Sequence, residues 1–596
     1  MRKSLVILAA GLFLVSWGLR LATLEPVFQV DDSPETAAAC DTLGIQHPPG
    51  YPLPTLLGRL ACLAFPGNPG FRVNLQAALW GCLSVALFLF MLGDLAALAG
   101  PAPGPWPPWQ VLACLGLVLM PQLWYQSLSA KGGLYTLNLL LTLLAWYCLW
   151  KAARSLAPAR GTAPDRAGFS AARRLLWAGS LAFGLGFAGH YMSIVLFLPT
   201  FGLLALPWLK DRARRRALAF TPPLFLAGAS IYLYLPLRSR LHPAMDWGHP
   251  DTWRAFWGVF WRSQYQGGRS HSMAEAGVLA GHFLKMLPDQ MAWLWLPLAL
   301  WGLWLAWRRR EWMLRSLMLG LGLHLAAVIL YNNPPTWAPW VADAFYLPDF
   351  VLLWLFATLG LADLARRLPG RPARLALGAG LGLGLALFLP RAWAMDRFQN
   401  DTLLYDYSRD LLAALPRRSV LLAAGGDDAF GVWYLQRVEG RRTDVVLADA
   451  PLFSPWYLED LRRQVPQASW SGADRDAIVR GLVAASLDRP LFYSAHNPGD
   501  LGIPLGLSAF VAKGNVGLNL GRLEAPWRRL RLRGLRSGAF PPDGGAVELL
   551  GYYPECARAL ERFGDRLGQP QVAALGRRWE GLVSRAPAGP GASLSR

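Results

Sequence analysis

The sequence predicts a mainly α-helical, polytopic membrane protein of about eleven crossings, followed by a C-terminal soluble α/β domain. Three observations carry this. Apolar runs of the length that spans a bilayer recur through the first two thirds of the chain. Only 16% of the 596 residues are charged while 54% are hydrophobic, too little charge for a soluble chain of this length. Lys and Arg gather in short clusters between the apolar runs, the pattern of cytoplasmic loops. The same placement argues against nucleic acid as the partner behind the formal charge of +20.

In chain order the spans are read at 5–24, 72–93, 109–127, 134–150, 175–190, 192–209, 217–237, 291–307, 313–331, 347–365 and 375–390. The first follows a basic start and resembles a signal peptide. It has no small-x-small cleavage site, so it is read as an uncleaved span. The pair 175–190 and 192–209 is either one long segment or a helical hairpin. Eleven crossings with the N-terminus inside put every basic cluster on the cytoplasmic side: Arg2/Lys3, Lys151–Arg174, Lys210–Arg216, Arg308–Arg310 and Arg366–Arg374. Residues 1–390 then form the membrane domain, and loops 25–71 and 238–290 face outward with the tail 391–596.

In that tail, Val420–Ala424 reads as a buried strand, Gly425-Gly426-Asp427-Asp428 as a turn, Ala429–Val438 as a helix and Val445–Ala448 as a second strand. The Gly-Gly turn is either a plain turn or a phosphate cradle; it lacks a P-loop or GxGxxG pattern. The last dozen residues have the composition of a disordered end. Of six cysteines, Cys82, Cys114 and Cys148 fall inside apolar runs, and a Cys40–Cys62 disulfide is open. No Cys/His spacing suggests a metal.

The outward loops hold the candidate chemistry. Asp31, Asp32 and Glu35 lie just past the first span, with Pro34 suited to the first turn of a short helix along the membrane. They either cap that helix or supply a base that takes the proton of an attacking hydroxyl. Arg238 and Arg240, just outside the seventh span, match either a substrate phosphate or ordinary lipid head groups. His47 is stiffened by Pro48 and Pro49. His190 sits at the end of an apolar run, either as a functional group or as an interhelical hydrogen bond. Trp247 is either a sugar-stacking ring or an aromatic-belt anchor.

Several strings together resemble one family: Asp32-Ser33-Pro34-Glu35, Leu43–Leu53 with His47-Pro48-Pro49-Gly50-Tyr51, Arg72–Leu75, Gly189-His190-Tyr191, Tyr234–Ser239, Asp246–Pro250, Gln264-Tyr265, Trp433–Gln436 and Arg442–Val445. This is a group of polytopic membrane proteins long labelled as a domain of unknown function. Its animal member is an endoplasmic-reticulum O-mannosyltransferase acting on the IPT domains of plexins and related receptors. The resemblance implies a glycosyltransferase of the GT-C class. Such an enzyme would move a hexose, mannose first among them, from a polyprenyl phosphate to a hydroxyl, for instance Ser or Thr of an exported protein, with inversion at the anomeric carbon. It also implies Asp32 as base, Glu35 either orienting the acceptor or supporting Asp32, and His47, Tyr51, His190, Arg238, Arg240, Trp247 and Tyr265 around donor and acceptor. No cofactor or metal is called for. The implied setting is a bacterial inner membrane with the tail in the periplasm.

Three positions depart from the family. Gly133 stands where many relatives have Glu, Gly426 replaces the first Asp of a Gly-Asp-Asn-Asp turn, and Asp31 replaces a usual Gly. Two alternatives remain. One keeps the donor and changes the acceptor to a lipid or surface glycan. The other is a transporter or lipid flippase, which predicts paired halves that the sequence does not display; a scaffold with a mere membrane anchor fits eleven spans poorly.

Overall fold

The computed structural model describes residues 2–98, 108–156, 166–265, 272–309, 311–332, 338–395, 398–470, 474–485, 489–494, 502–511, 519–538 and 544–584. Arg310 and the final dozen residues lie outside them. Among the described residues, eight helices are long and apolar enough to cross a membrane: Leu5–Thr23, Pro69–Leu95, Gly132–Ser155, Arg166–Leu209, Arg212–Ser239, Leu314–Tyr331, Pro339–Arg367 and Gly370–Pro390.

One of the eight is not a single crossing. Within 166–209 the backbone leaves helical geometry at His190 (φ −148°, ψ 83°). Phe183 meets Phe201 with ring centroids 5.0 Å apart, and Phe169 meets Trp208 at 6.1 Å. Those pairings require the chain to double back, so 166–209 is a helical hairpin turning at His190. Two shorter segments also traverse the bundle. Pro108–Val118 and Pro121–Gln126 run from Gln110, bonded to the Leu92 carbonyl, to Trp124, whose indole donates to Thr23 Oγ1. The break between them falls before Pro121, which has no N–H to continue the ladder. Leu296–Arg308 runs parallel to Leu347–Arg367, with Trp295 against Trp354 at one end and Trp301 donating to Asp363 at the other. Counting the hairpin as two crossings and adding these two segments to the other seven gives eleven.

The crossings pack through small residues. A Cβ on Gly302 would stand 1.8 Å from the Phe356 carbonyl, and one on Gly360 would stand 2.2 Å from that of Leu298. The backbones touch there, as between membrane helices generally, where packing replaces the hydrophobic effect.

The two ends of the bundle differ. At one end Lys151 pairs with Asp94 at 2.8 Å, Arg154 bonds the Asp94 carbonyl, and Arg309 and Arg367 share Asp363. At the other, loops 25–71 and 238–265 meet the tail. The Gly70 N–H donates to Tyr434, the Asp31 N–H donates to Asp427 at 2.7 Å, and His249 pairs with Asp460 at 3.1 Å. One continuous core runs from Phe28 and Ala37 through Trp247 to Tyr434 and Val583.

The tail is an α/β domain. Strands β1 (Val420–Ala423), β2 (Val446–Asp449), β3 (Leu491–Ser494), β4 (Ile503–Leu505) and β5 (Ser508–Phe510) form one sheet in the order β2-β1-β3-β5-β4. β1 is parallel to β2 and β3, joined to β2 through helix Asp427–Arg437, as the strand–helix–strand pattern predicts. Asp427 and Asp428 occupy that helix's first turn; Asp428 accepts from Tyr407 at 2.6 Å and from Ser494. The Gly-Gly turn before it takes left-handed backbone, Gly425 at φ 92° and Gly426 at φ 52°. Cys40 and Cys62 are buried free thiols, as are the other four cysteines.

Gly302→Val should lower the thermal midpoint of the detergent-purified protein markedly, an overpacking cost of about 1–3 kcal/mol. Gly378→Val, with nothing within 4 Å of its Cβ, should leave it unchanged.

Candidate active site

The helix Ser33–Thr42 is the foundation. The sequence puts it along the membrane surface, but the structure buries it between the bundle and helix Asp427–Arg437, with Ala37, Ala38 and Ala39 fully covered. Three alanines in a row permit that close approach. Asp32 stands at its N-cap position with Pro34 in the first turn. Asp31 before it has φ 65°, left-handed backbone that Gly adopts freely and Asp tolerates.

The helix ends at Leu43, φ 53°. Arg238 donates to the Leu43 carbonyl at 2.7 Å and to that of Thr42 at 3.2 Å, a cation on a helix C-terminus. Ile45 and Asp246 then form a parallel bridge that docks loop 238–250 on the first loop. Thr36 donates to Gln46, which donates to Thr55.

These contacts aim His47 at the acids. Glu35, with no exposed surface, accepts from the His47 backbone N–H through Oε1 and from ring Nδ1 through Oε2, both at 2.6 Å. The other ring nitrogen, Nε2, lies 3.8 Å from Asp32 and 3.4 Å from the Tyr51 hydroxyl. Tyr51 stacks on His190 (5.6 Å, 26°), and Tyr135 and Phe345 close around His190 at 5.5 Å each. Ser193 bonds His190 Nδ1 at 3.1 Å. Asp32, Glu35, His47, Tyr51 and His190 are thus brought together in one chain of contacts.

Two cations join them that sequence reasoning overlooked. Lys131, between the third and fourth crossings, places its ammonium on the Asp32 carboxylate. Burial pushes the Lys131 ammonium down to about 8, against the pull of Asp31 and with a further push from Arg262. Arg262 lies over the Tyr265 ring at 5.1 Å and touches the Met192 sulfur. Among the described residues it has no carboxylate partner, and its buried Nε has no acceptor. A signal existed for Lys131: a lysine at the outward end of a span runs against the positive-inside pattern. Gly133, where relatives have Glu, faces Ala77, whose Cβ would be 3.3 Å from a Cβ at 133.

The remaining residues serve other contacts. Arg238 is committed to the helix carbonyls, and the exposed Arg240 donates to the Asp251 carbonyl at 3.2 Å. Trp247 is only 5% exposed, packed edge-on to His47 and Trp433, and its indole donates to Gln264 at 3.1 Å. It joins loop to tail and offers little face to a sugar. Tyr265 remains accessible at 42%.

Asp32, Glu35 and His47 could each offer one ligand atom to a metal ion, these atoms lying within 4.8 Å of one another. In this arrangement, though, both Glu35 oxygens serve His47, and Asp32 already faces an ammonium.

Glu35→Ala should cost about 3 kcal/mol by leaving the buried His47 without its partner. Asp32→Asn, whose side chain is 27% exposed, should cost under about 1 kcal/mol. Thermal unfolding in detergent reads both.

Residues 32–212 match the family described as the protein O-mannosyl-transferase TMEM260 N-terminal domain, and residues 404–471 match TMEM260-associated domain 2. The mouse protein O-mannosyl-transferase TMEM260 is 27% identical over 482 residues, covering 76% of this chain and 64% of its own, so the chain spans less than two thirds of that relative. Among solved structures, ArnT from Cupriavidus metallidurans bound to undecaprenyl phosphate aligns with TM-score 0.48 at 13% identity, over 83% of this chain and 94% of that one. The oligosaccharyltransferase AglB from Archaeoglobus fulgidus, in complex with an inhibitory peptide and a dolichol-phosphate, aligns with TM-score 0.47 at 11% identity, over 83% and 70%. The site of Asp32, Glu35, His47, Lys131 and His190 falls inside the first matched region, so the chain is similar to the TMEM260 family where its loop motifs lie.

Proposed function

We propose that this protein is a membrane glycosyltransferase of GT-C type that moves a hexose, mannose first among candidates, from a polyprenyl phosphate to a hydroxyl acceptor such as Ser or Thr of an exported protein. The observation that carries the reading is Asp32, a partly exposed carboxylate at the tail-facing end of the bundle, held between Lys131 and the Glu35-supported His47.

In the proposed reaction the acceptor oxygen attacks the anomeric carbon as its proton passes to Asp32. The bond from that carbon to the phosphate oxygen breaks, and polyprenyl phosphate leaves with the electron pair. Attack opposite the leaving group inverts the centre. Lys131 and Arg262 are the cations best placed to hold the phosphate, in preference to Arg238 and Arg240, whose guanidinium groups are bonded to backbone carbonyls. A phosphate arriving beside Lys131 competes with Asp32 for its ammonium. Donor binding would thereby free a carboxylate lone pair just when a base is needed. Glu35 orients His47 and does not touch substrate.

The basic clusters at the opposite end of the bundle support a cytoplasmic face there, and with it the reading that site and tail face the periplasm of a bacterial inner membrane. The tail covers the site from that side and is suited to select the acceptor.

The test uses purified protein and Asp32→Asn with a panel of polyprenyl-phosphate sugars and exported proteins as acceptors. Release of polyprenyl phosphate by the wild type, lost at least about 100-fold in the folded variant, is expected. Equal release by both would remove Asp32 from the chemistry, and sugar found on lipid or glycan would change the acceptor. A second expectation concerns pH. The Lys131 ammonium is present below about 8 and lost above it. The KM for the donor should therefore climb as pH rises through that value, and Lys131→Arg should flatten the climb.

A further inference from the structure

The helix Trp253–Phe260 follows the seventh crossing and ends two residues before Arg262. Its two faces are opposed. Phe256, Val259 and Phe260 are buried. Phe260 stacks on Tyr191 at 5.0 Å and meets Tyr232 edge-on at 4.9 Å, and the Tyr191 hydroxyl donates to its carbonyl at 2.9 Å. These tyrosines stand at the outer ends of the fifth-to-sixth and seventh crossings, so the helix is fastened flat across them. Its other face carries Trp253, Trp257 and Trp261 at 62%, 47% and 55% exposure. They are spaced i, i+4, i+8, one stripe along the helix. Trp257 and Trp261 stack on each other at 6.2 Å, and the space around Gly258 is open.

Three exposed indoles in a row need an apolar neighbour. The neighbouring surface says which. Leu226, Leu233, Leu237 and Leu241 are all strongly exposed along the seventh crossing and just beyond its end, where the bilayer is their solvent. The Trp stripe continues that surface, with the exposed cations Arg254 and Arg240 beside it. Indole rings favour the headgroup boundary, and cations favour lipid phosphates there.

We infer that Trp253–Trp261 is an interfacial anchor that docks on the bilayer itself, its three indoles sunk into the leaflet on the side of the tail. The occupant is phospholipid, not a second copy of this chain and not another protein. The anchor fixes the depth of the residue that follows it. Arg262 is held at headgroup level, where the phosphate of a membrane-embedded donor lies. That last consequence rests on the transferase reading; the membrane contact does not.

The test places a nitroxide on Gly258→Cys in the full-length protein in phospholipid vesicles and compares its collisions with oxygen, which concentrates in lipid, and with a water-soluble nickel chelate. Oxygen should dominate, and adding Trp253→Ser, Trp257→Ser and Trp261→Ser should shift the balance toward the chelate. Trp257→Ser alone serves if the triple variant does not fold. Predominant access to the chelate in the parent protein would overturn the proposal. So would shielding from both reagents that is relieved on dilution, which would mean a second copy. None of these outcomes depends on sugar transfer, so failure of the anchor and failure of the transferase reading are read separately.

Discussion

Everything at the tail-facing end of the bundle depends on the bidentate grip of Glu35 on His47. One fully buried carboxylate binds both the backbone and the ring of a residue twelve positions away. An ionised carboxylate at full burial is tolerable only when its oxygens are bonded. The loop between them therefore has little freedom to close any other way. The grip also decides which imidazole nitrogen points out. With Nδ1 engaged, Nε2 is left to face Asp32 and Tyr51, and through Tyr51 the order reaches His190 at the turn of the membrane hairpin.

Around this grip the protein separates support from exposure. Glu35, Gln46, Thr36 and Arg238 satisfy one another or backbone groups and leave nothing for a ligand. Asp32, Lys131, Tyr265 and Arg262 lie at the edge of the same frame with surface or bonding capacity to spare. Such division, with rigid elements holding a few accessible charges, is what preorganised charge stabilisation requires.

Much of this was legible in the sequence because it is written locally. The apolar runs and basic clusters fix the crossings, and Phe183 against Phe201 resolves the hairpin that hydropathy left open. Asp32, Glu35 and His47 stand out because a stiff Pro-rich loop follows a Pro-started helix. Lys131 and Arg262 did not, since no period in the chain says which span ends converge. Arg238 shows the complementary limit. Its outward position was readable, but its target, two carbonyls at the end of a helix nearly 200 residues earlier, was not. The same holds for Trp247, whose partners Phe430 and Trp433 come from the tail.

The shared core of first loop and tail has a consequence for synthesis. Gly70 bonds Tyr434 across 364 residues, and the Asp31 N–H meets Asp427 across 396. A ribosome adding about 5–20 residues per second needs roughly 20–70 seconds to cover that distance. Through that interval the first loop is already made while the tail that covers it is still to come. The alanine-bearing face of helix Ser33–Thr42 that packs on Asp427–Arg437 must wait uncovered, a natural client for a chaperone. The contacts among Asp32, Glu35, His47, Lys131 and His190 all lie within residues 32–190, so the membrane domain can order its acids before that cover arrives.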